Sequence, residues 1–284
     1  GIYIAGDNVG HRNTVNWTGN YTSTDADASA IFLWDTTDNN ITMTGDVTTT
    51  GANRSGLIRT DNADNNTITF TGNIRTEGAN SPAIHLGSDS DNNLINVTGN
   101  ITTTGNNSVG LNIDASDSNN ITINGNIITS GTGGDSEPIN FTNSDSNTIT
   151  LSGAAHSLGE DQAISLDTNS QSNTFIFKRG ASFIGGLENN GGTTNTLRFD
   201  MGKASSYNLD TDGTTWTLED TSKPIVSGSA KSMGVADIDN QAHILYRRMD
   251  PINDVLSERQ RLYTEGQRPT GYYMDSYYGH DKRD

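Results

Sequence analysis

The chain of 284 residues carries a formal net charge of −17, only 31% of it is hydrophobic, and it contains no cysteine. So low an apolar fraction argues against one compact globule of this length, which would need a thicker core. The charge argues against nucleic acid and anionic membrane surfaces as partners, because both would repel the chain.

Asparagine recurs at nearly constant spacing along the chain, in steps of 26, 27, 27, 26, 28, 26 and 22 residues. A fixed period of this size indicates one structural unit copied along an axis. We predict that these asparagines form a structural ladder at one turn of each unit. Asparagine suits such a turn because it tolerates left-handed backbone angles, and its amide can donate to the next asparagine. The ladder residues are Asn13, Asn39, Asn66, Asn93, Asn119, Asn147, Asn173 and Asn195.

Each unit has the pattern of three short strands. The first alternates apolar and polar residues, as at Ile68 and Phe70, and a glycine such as Gly72 follows it. The second begins with one apolar residue, as at Ile74, and the third has the pattern of Ile84–Leu86. These features predict an all-β fold, a right-handed parallel β-helix with about 27 residues and three strands per coil. A propeller is the alternative, but its blades usually have four strands and roughly 40 or more residues.

Three regions follow from how the repeat changes along the chain. Residues 1–180 are predicted to form regular coils. Residues 181–230 are predicted to form irregular last rungs and a cap, with Trp216 as the capping aromatic, because a solenoid must cover its last core layer. Residues 231–284 are predicted to form a linker helix and then an aromatic-rich strand. The helical pattern begins at Val235, with a cap at Asp250 and Pro251 and a stop at Gly266.

An aspartate stands two places before the ladder asparagine in four consecutive coils: Asp64, Asp91, Asp117 and Asp145. Stacked carboxylates repel each other, which raises pKa values or attracts a cation. Two alternatives therefore stay open, solvated turn carboxylates and a column that binds Ca²⁺ between rungs. The first is preferred, because the nonapeptide calcium repeat is absent, so no metal site or cofactor is predicted.

Neither a nucleophile elbow, nor a zinc-binding HExxH, nor a phosphate-binding loop occurs in the sequence. The repeats also carry no insertion longer than two residues, whereas catalytic solenoids usually interrupt their repeat. We therefore predict that the chain is not an enzyme. The alternatives are a polysaccharide-active β-helix enzyme, which would need two or three converging carboxylates, and a glycan-binding adhesin module.

The order of these parts resembles the junction of a bacterial type V autotransporter. Residues 235–262 are similar to the region before the outer-membrane barrel, and residues 271–284 to the opening of its first strand. The resemblance implies a fragment of a structural or adhesive passenger stalk, at the bacterial cell surface or secreted through the outer membrane. It also implies that residues 181–230 act like an autochaperone. The expected partners are the chain's own barrel, which would be its only membrane contact, and a host-surface protein or glycan.

Overall fold

In a computed structural model, the described residues are 1–6, 12–53, 56–200, 205–219, 225–227 and 235–237. The chain divides into two compact units, residues 1–236 and 237–284. All described residues except Asp237 belong to the first unit. Val235–Asp237 form a strand, so the helical pattern predicted from Val235 is wrong at these residues. The rest of the predicted linker helix and the aromatic strand of residues 271–284 lie outside the described residues.

The first unit is a right-handed parallel β-helix in which each coil of about 27 residues adds one strand to each of three sheets. Strands are numbered in chain order. Sheet A contains β1 Ile2–Ala5, β4 Ile31–Trp34, β7 Ile58–Asp61, β10 Ile84–Gly87, β13 Leu111–Asp114, β16 Ile139–Thr142, β19 Gln162–Leu166 and β22 Gly186–Asn189. Sheet B contains β2 Thr14–Thr18, β5 Asn40–Thr44, β8 Thr67–Thr71, β11 Leu94–Thr98, β14 Asn120–Asn124, β17 Thr148–Leu151, β20 Thr174–Lys178, β23 Thr196–Asp200 and β25 Thr217–Glu219.

Sheet C is narrower, with three or four residues per strand. It contains β3 Tyr21–Ser23, β6 Val47–Thr49, β9 Ile74–Thr76, β12 Ile101–Thr103, β15 Ile127–Thr129, β18 Ala154–Ser157 and β21 Ser182–Ile184. A fourth sheet has the order β26 Ile225–Ser227, β24 Ser205–Leu209 and β27 Val235–Asp237. The prediction of three strands per coil is confirmed.

Identical positions of successive coils lie one above the other. Ile68 pairs with Ile95 and Phe70 with Val97, and all four side chains are fully buried. Because successive residues of a strand face opposite sides, this register places every second side chain of a strand in the core. Among the described strand pairs, the parallel register shifts at one place, between Gln162 and Ile164 of β19.

Glycine is required where sheet B turns into sheet C. At Gly72 the backbone has a φ of 150°, and an added Cβ would lie 2.1 Å from the carbonyl oxygen of Gly45 in the coil before it. A side chain therefore has neither the backbone angle nor the space that it needs. This explains why glycine recurs here once per coil.

Trp216 lies directly before β25 and is only 7% exposed. Its ring meets Phe175 edge to face, with centroids 5.6 Å apart, and its Nε1 donates to the carbonyl oxygen of Leu187 at 2.9 Å. The indole thus packs against the apolar core while its polar atom is satisfied.

Candidate functional site

The ladder asparagines lie in the turn between sheets A and B, and seven of the eight are at most 1% exposed. Asn93 is typical of them. Its Oδ1 accepts the backbone N–H of Asn66 at 2.9 Å and the Nδ2 of Asn66 at 3.0 Å. Its own Nδ2 donates to Asn119 Oδ1 at 3.1 Å and to the carbonyl oxygen of Ala63 at 2.8 Å. One buried amide therefore holds its coil to both neighbours.

The expectation of left-handed angles at the ladder positions is wrong. None of the ladder asparagines has a positive φ among the described residues. The residue directly before six of them has one instead: Asp38, Asn65, Asn92, Ser118, Ser146 and Ser172, with φ between 56° and 61°. The two roles are separated because a buried amide must face the core side of the turn, so the neighbouring exposed residue makes the bend.

The four aspartates that precede the ladder residues by two places, Asp64, Asp91, Asp117 and Asp145, also stack. Each accepts a hydrogen bond from the next coil. Asp64 Oδ1 accepts a hydrogen bond from the backbone N–H of Asp91 at 2.8 Å. In the same way, Asp91 Oδ1 accepts one from the N–H of Asp117 at 2.7 Å, and Asp117 Oδ1 accepts one from the N–H of Asp145 at 2.7 Å. Asp145 accepts the N–H of Gln171 at 2.6 Å. One oxygen of each carboxylate thus caps a turn N–H.

Burial raises the pKa of Asp117, and the neighbouring carboxylates of Asp91, Asp145 and Asp89 raise it further, against the lowering effect of the Asp145 N–H. Repulsion between the stacked carboxylates therefore contributes to the raised pKa of Asp117, near the middle of the column. In the described part of the chain, no group of three or more His, Cys, Asp and Glu side chains has the geometry of a metal site.

The outer face of sheet A carries a different and more varied column of side chains. Arg59 lies over the Phe32 ring, 4.5 Å from its centroid, and forms an ion pair of 2.7 Å with Asp61. Phe32 also packs against Tyr3, and Trp34 is 47% exposed on the same face. The sequence shows few aromatics per repeat, and only the coil geometry collects Tyr3, Phe32 and Trp34.

Further along this face the column becomes polar. Asn112 Nδ2 lies 3.0 Å from His85 Nδ1, and Asn140 Nδ2 donates to Asn112 Oδ1 at 3.3 Å. The three side chains line a cleft of about 300 Å³, together with the buried Pro82 and Val109. His85 is only 7% exposed, and its ring lies over Gly87, where an added Cβ would be 2.6 Å from Nε2.

Glu137 lies in the turn before β16 and is 6% exposed. Its Oε2 has no hydrogen-bond partner in the described part of the chain. Burial raises its pKa to about 7, and the charges of Asp135, Glu160 and Glu188 add to the effect. Nothing in the sequence identified this residue, because a single glutamate in a polar turn is unremarkable until its burial is known.

No family model, curated protein or solved structure matches this chain. The class is defined by the fold alone: the chain is a parallel β-helical repeat protein. Among the described residues, no helix is long and apolar enough to cross a bilayer.

Proposed function

We propose that the β-helix is the stalk of an exported bacterial surface protein, a spacer that carries load and does no chemistry. The observation that supports this most is the unbroken ladder. In every step from Asn13 to Asn195, the backbone N–H of one ladder residue donates to Oδ1 of the next, at 2.8–3.2 Å.

Such a ladder suits a spacer because it resists separation of the coils. Pulling two coils apart would expose a continuous apolar core and leave buried N–H groups without acceptors, each costing about 1–3 kcal/mol. Stability of a solenoid is roughly a sum over neighbouring units, so every added coil lengthens the structure without weakening the others.

Export through an outer membrane is supported by composition and by the downstream sequence. The absence of cysteine leaves no disulfide that would hinder passage of the unfolded chain. Residues 235–262 and 271–284 resemble the junction between passenger and barrel of autotransporters. We therefore propose that the stalk lies on the cell surface, joined to a barrel of its own.

Surface display tests this proposal directly. The full chain would be placed between a signal peptide and an autotransporter barrel stripped of its own linker, and expressed in a Gram-negative host. We expect antibody labelling of intact cells and protease-resistant coils. The matched control lacks residues 235–262 and should remain inside the outer membrane. Retention of the full chain in the periplasm, or equal display of both versions, would contradict the proposal.

Carbohydrate binding is a second candidate function, favoured by one observation. The outer face of sheet A carries the aromatic group Tyr3, Phe32 and Trp34 on β1 and β4 and, beyond β7, the amide-lined cleft on β10, β13 and β16. Aromatic rings and amides are both suited to sugars, which have apolar faces and many hydroxyls. A stalk with such a face would be an adhesin.

A further inference from the structure

The cleft on sheet A forms where the repeat is longest. The turn from sheet C to sheet A spans nine residues, 130–138, against seven, 104–110, in the preceding coil. The longer turn approaches Asn107 so closely that a Cβ on Gly133 would lie 2.1 Å from Asn107 Oδ1. Gly133 has a φ of 115°, which a side chain would disfavour. The extra residues thus place Asp135 on the rim of the cleft.

The polar lining has hydrogen-bonding capacity to spare. Asn112 and Asn140 each use one amide N–H in the row that ends at His85. Each amide has a second N–H, and Oδ1 of Asn140 accepts no hydrogen bond within the described residues. The exposed Asp135 carboxylate adds acceptors to the lining. Donors and acceptors alternating along a half-buried row are what a ligand with several hydroxyls requires.

The remaining lining decides the class of ligand. Pro82 and Val109 line the cleft and are almost fully buried, so each exposes only a small apolar area that the C–H groups of a sugar ring can contact. Asp114 and Asp135 line the cleft, and among the described residues no lysine or arginine does. An acidic sugar would be repelled by these carboxylates. The volume of about 300 Å³ suits a short oligosaccharide segment.

We propose that this cleft binds a neutral saccharide, with its hydroxyls on Asn112, Asn140 and Asp135 and a ring face on Val109. The site is rigid before the ligand arrives, since each amide is held by the next and His85 is packed over Gly87. Binding then costs little side-chain conformational entropy. The proposal gives the second candidate function a location, and it does not depend on the export route.

Saturation-transfer NMR and calorimetry on the full soluble chain would test the site. The probes are cellotriose, chitotriose and maltotriose, with trigalacturonate as an acidic comparison. We expect saturable binding of at least one neutral trisaccharide, with a Kd of about 1 mM or below. The double substitution Asn112→Ala and Asn140→Ala should weaken it at least about tenfold, the loss of roughly 1.4 kcal/mol.

The matched control is Asn96→Ala with Asn120→Ala, which removes two asparagines from the outer face of sheet B and should leave binding unchanged. If the cleft variant does not fold, the exposed Thr142→Arg at the cleft margin should block binding instead. The proposal is overturned if no neutral trisaccharide binds saturably, if trigalacturonate binds more tightly, or if the cleft variants bind as well as the parent. Such a failure would leave the result of the display experiment untouched, so the two proposals fail separately.

Discussion

Asn93 Oδ1 accepts two hydrogen bonds from Asn66, one from its backbone N–H at 2.9 Å and one from its Nδ2 at 3.0 Å. The same oxygen therefore satisfies a buried turn and fixes the side chain of the coil before it. The backbone hydrogen bond to Oδ1 repeats in every step of the ladder, so a single residue type holds the register of the β-helix.

Asn119→Ala should destabilise the protein by about 2–4 kcal/mol. The change leaves the buried N–H of Asn93 without its acceptor and the carbonyl oxygen of Ser90 without its donor. Asn120→Ala is the matched control, because Asn120 is the next residue in the chain and its side chain is exposed. Urea unfolding followed by far-UV circular dichroism would measure both. Equal unfolding midpoints for the two variants would show that the ladder contributes nothing.

Gly72→Ala should destabilise the β-helix by several kcal/mol or prevent its folding, because the new Cβ would collide with the carbonyl oxygen of Gly45. At Gly134 an added Cβ meets nothing within 4 Å. Gly134→Ala should therefore stay within about 0.5 kcal/mol of the parent. Thermal melts of both variants test this pair. Similar melting temperatures would refute the close approach of successive corners.

Trp216→Ala should lower the free energy of unfolding by about 3–5 kcal/mol, because it leaves a cavity in the core next to Phe175. We expect the last coils to become protease-sensitive before the first ones, since each coil depends mainly on its neighbours. Trp34→Ala, which removes a half-exposed ring, serves as the control. Limited proteolysis with mass mapping of the cuts would show the order. Uniform loss of protection along the chain would contradict local capping.

Glu137→Gln should change how stability depends on pH. The folded pKa is about 7, above the ordinary value of 4.5, so the folded state favours the protonated carboxyl. The contribution of this carboxyl to stability is then greatest below pH 4.5, declines as pH rises to about 7, and is constant above that. The glutamine variant should remove this decline and exceed the parent at pH 8 by on the order of 3 kcal/mol.

Denaturant unfolding at pH 4 and pH 8 would measure the effect. Glu77→Gln is the control, since Glu77 forms a partly exposed ion pair with Arg75 that should be worth less than about 1 kcal/mol. A Glu137→Gln variant with the same pH dependence as the parent would show that the buried carboxyl is stabilised by other means.

Asp117→Asn should be neutral or stabilise by up to about 1 kcal/mol at pH 7. Asparagine keeps an oxygen for the N–H of Asp145 and removes a charge that faces Asp91 and Asp145. Melting temperatures would be compared with millimolar calcium and with a chelator, and we expect no calcium effect on the parent. A rise with calcium in the parent, lost in the variant, would instead establish a cation between the rungs.

The coil itself could be predicted from local pattern. The alternation at Ile68 and Phe70 places both side chains on one face, and the repeat of this pattern every 26 to 28 residues requires parallel stacking. The left-handed turn position lies one residue earlier than predicted, at Asn65 and not at Asn66. Composition favours asparagine at both places, and only burial distinguishes the amide that faces inward.

The sequence by itself therefore determined the fold class and the ladder, because each coil repeats one local pattern whose register with its neighbours follows from the period. Only the tertiary structure decided the cleft and the buried carboxyl. His85, Asn112 and Asn140 are separated by 27 and 28 residues and share no motif, yet the stacking of β10, β13 and β16 makes them neighbours. The burial of Glu137 likewise depends on how one longer turn folds against the coils beside it.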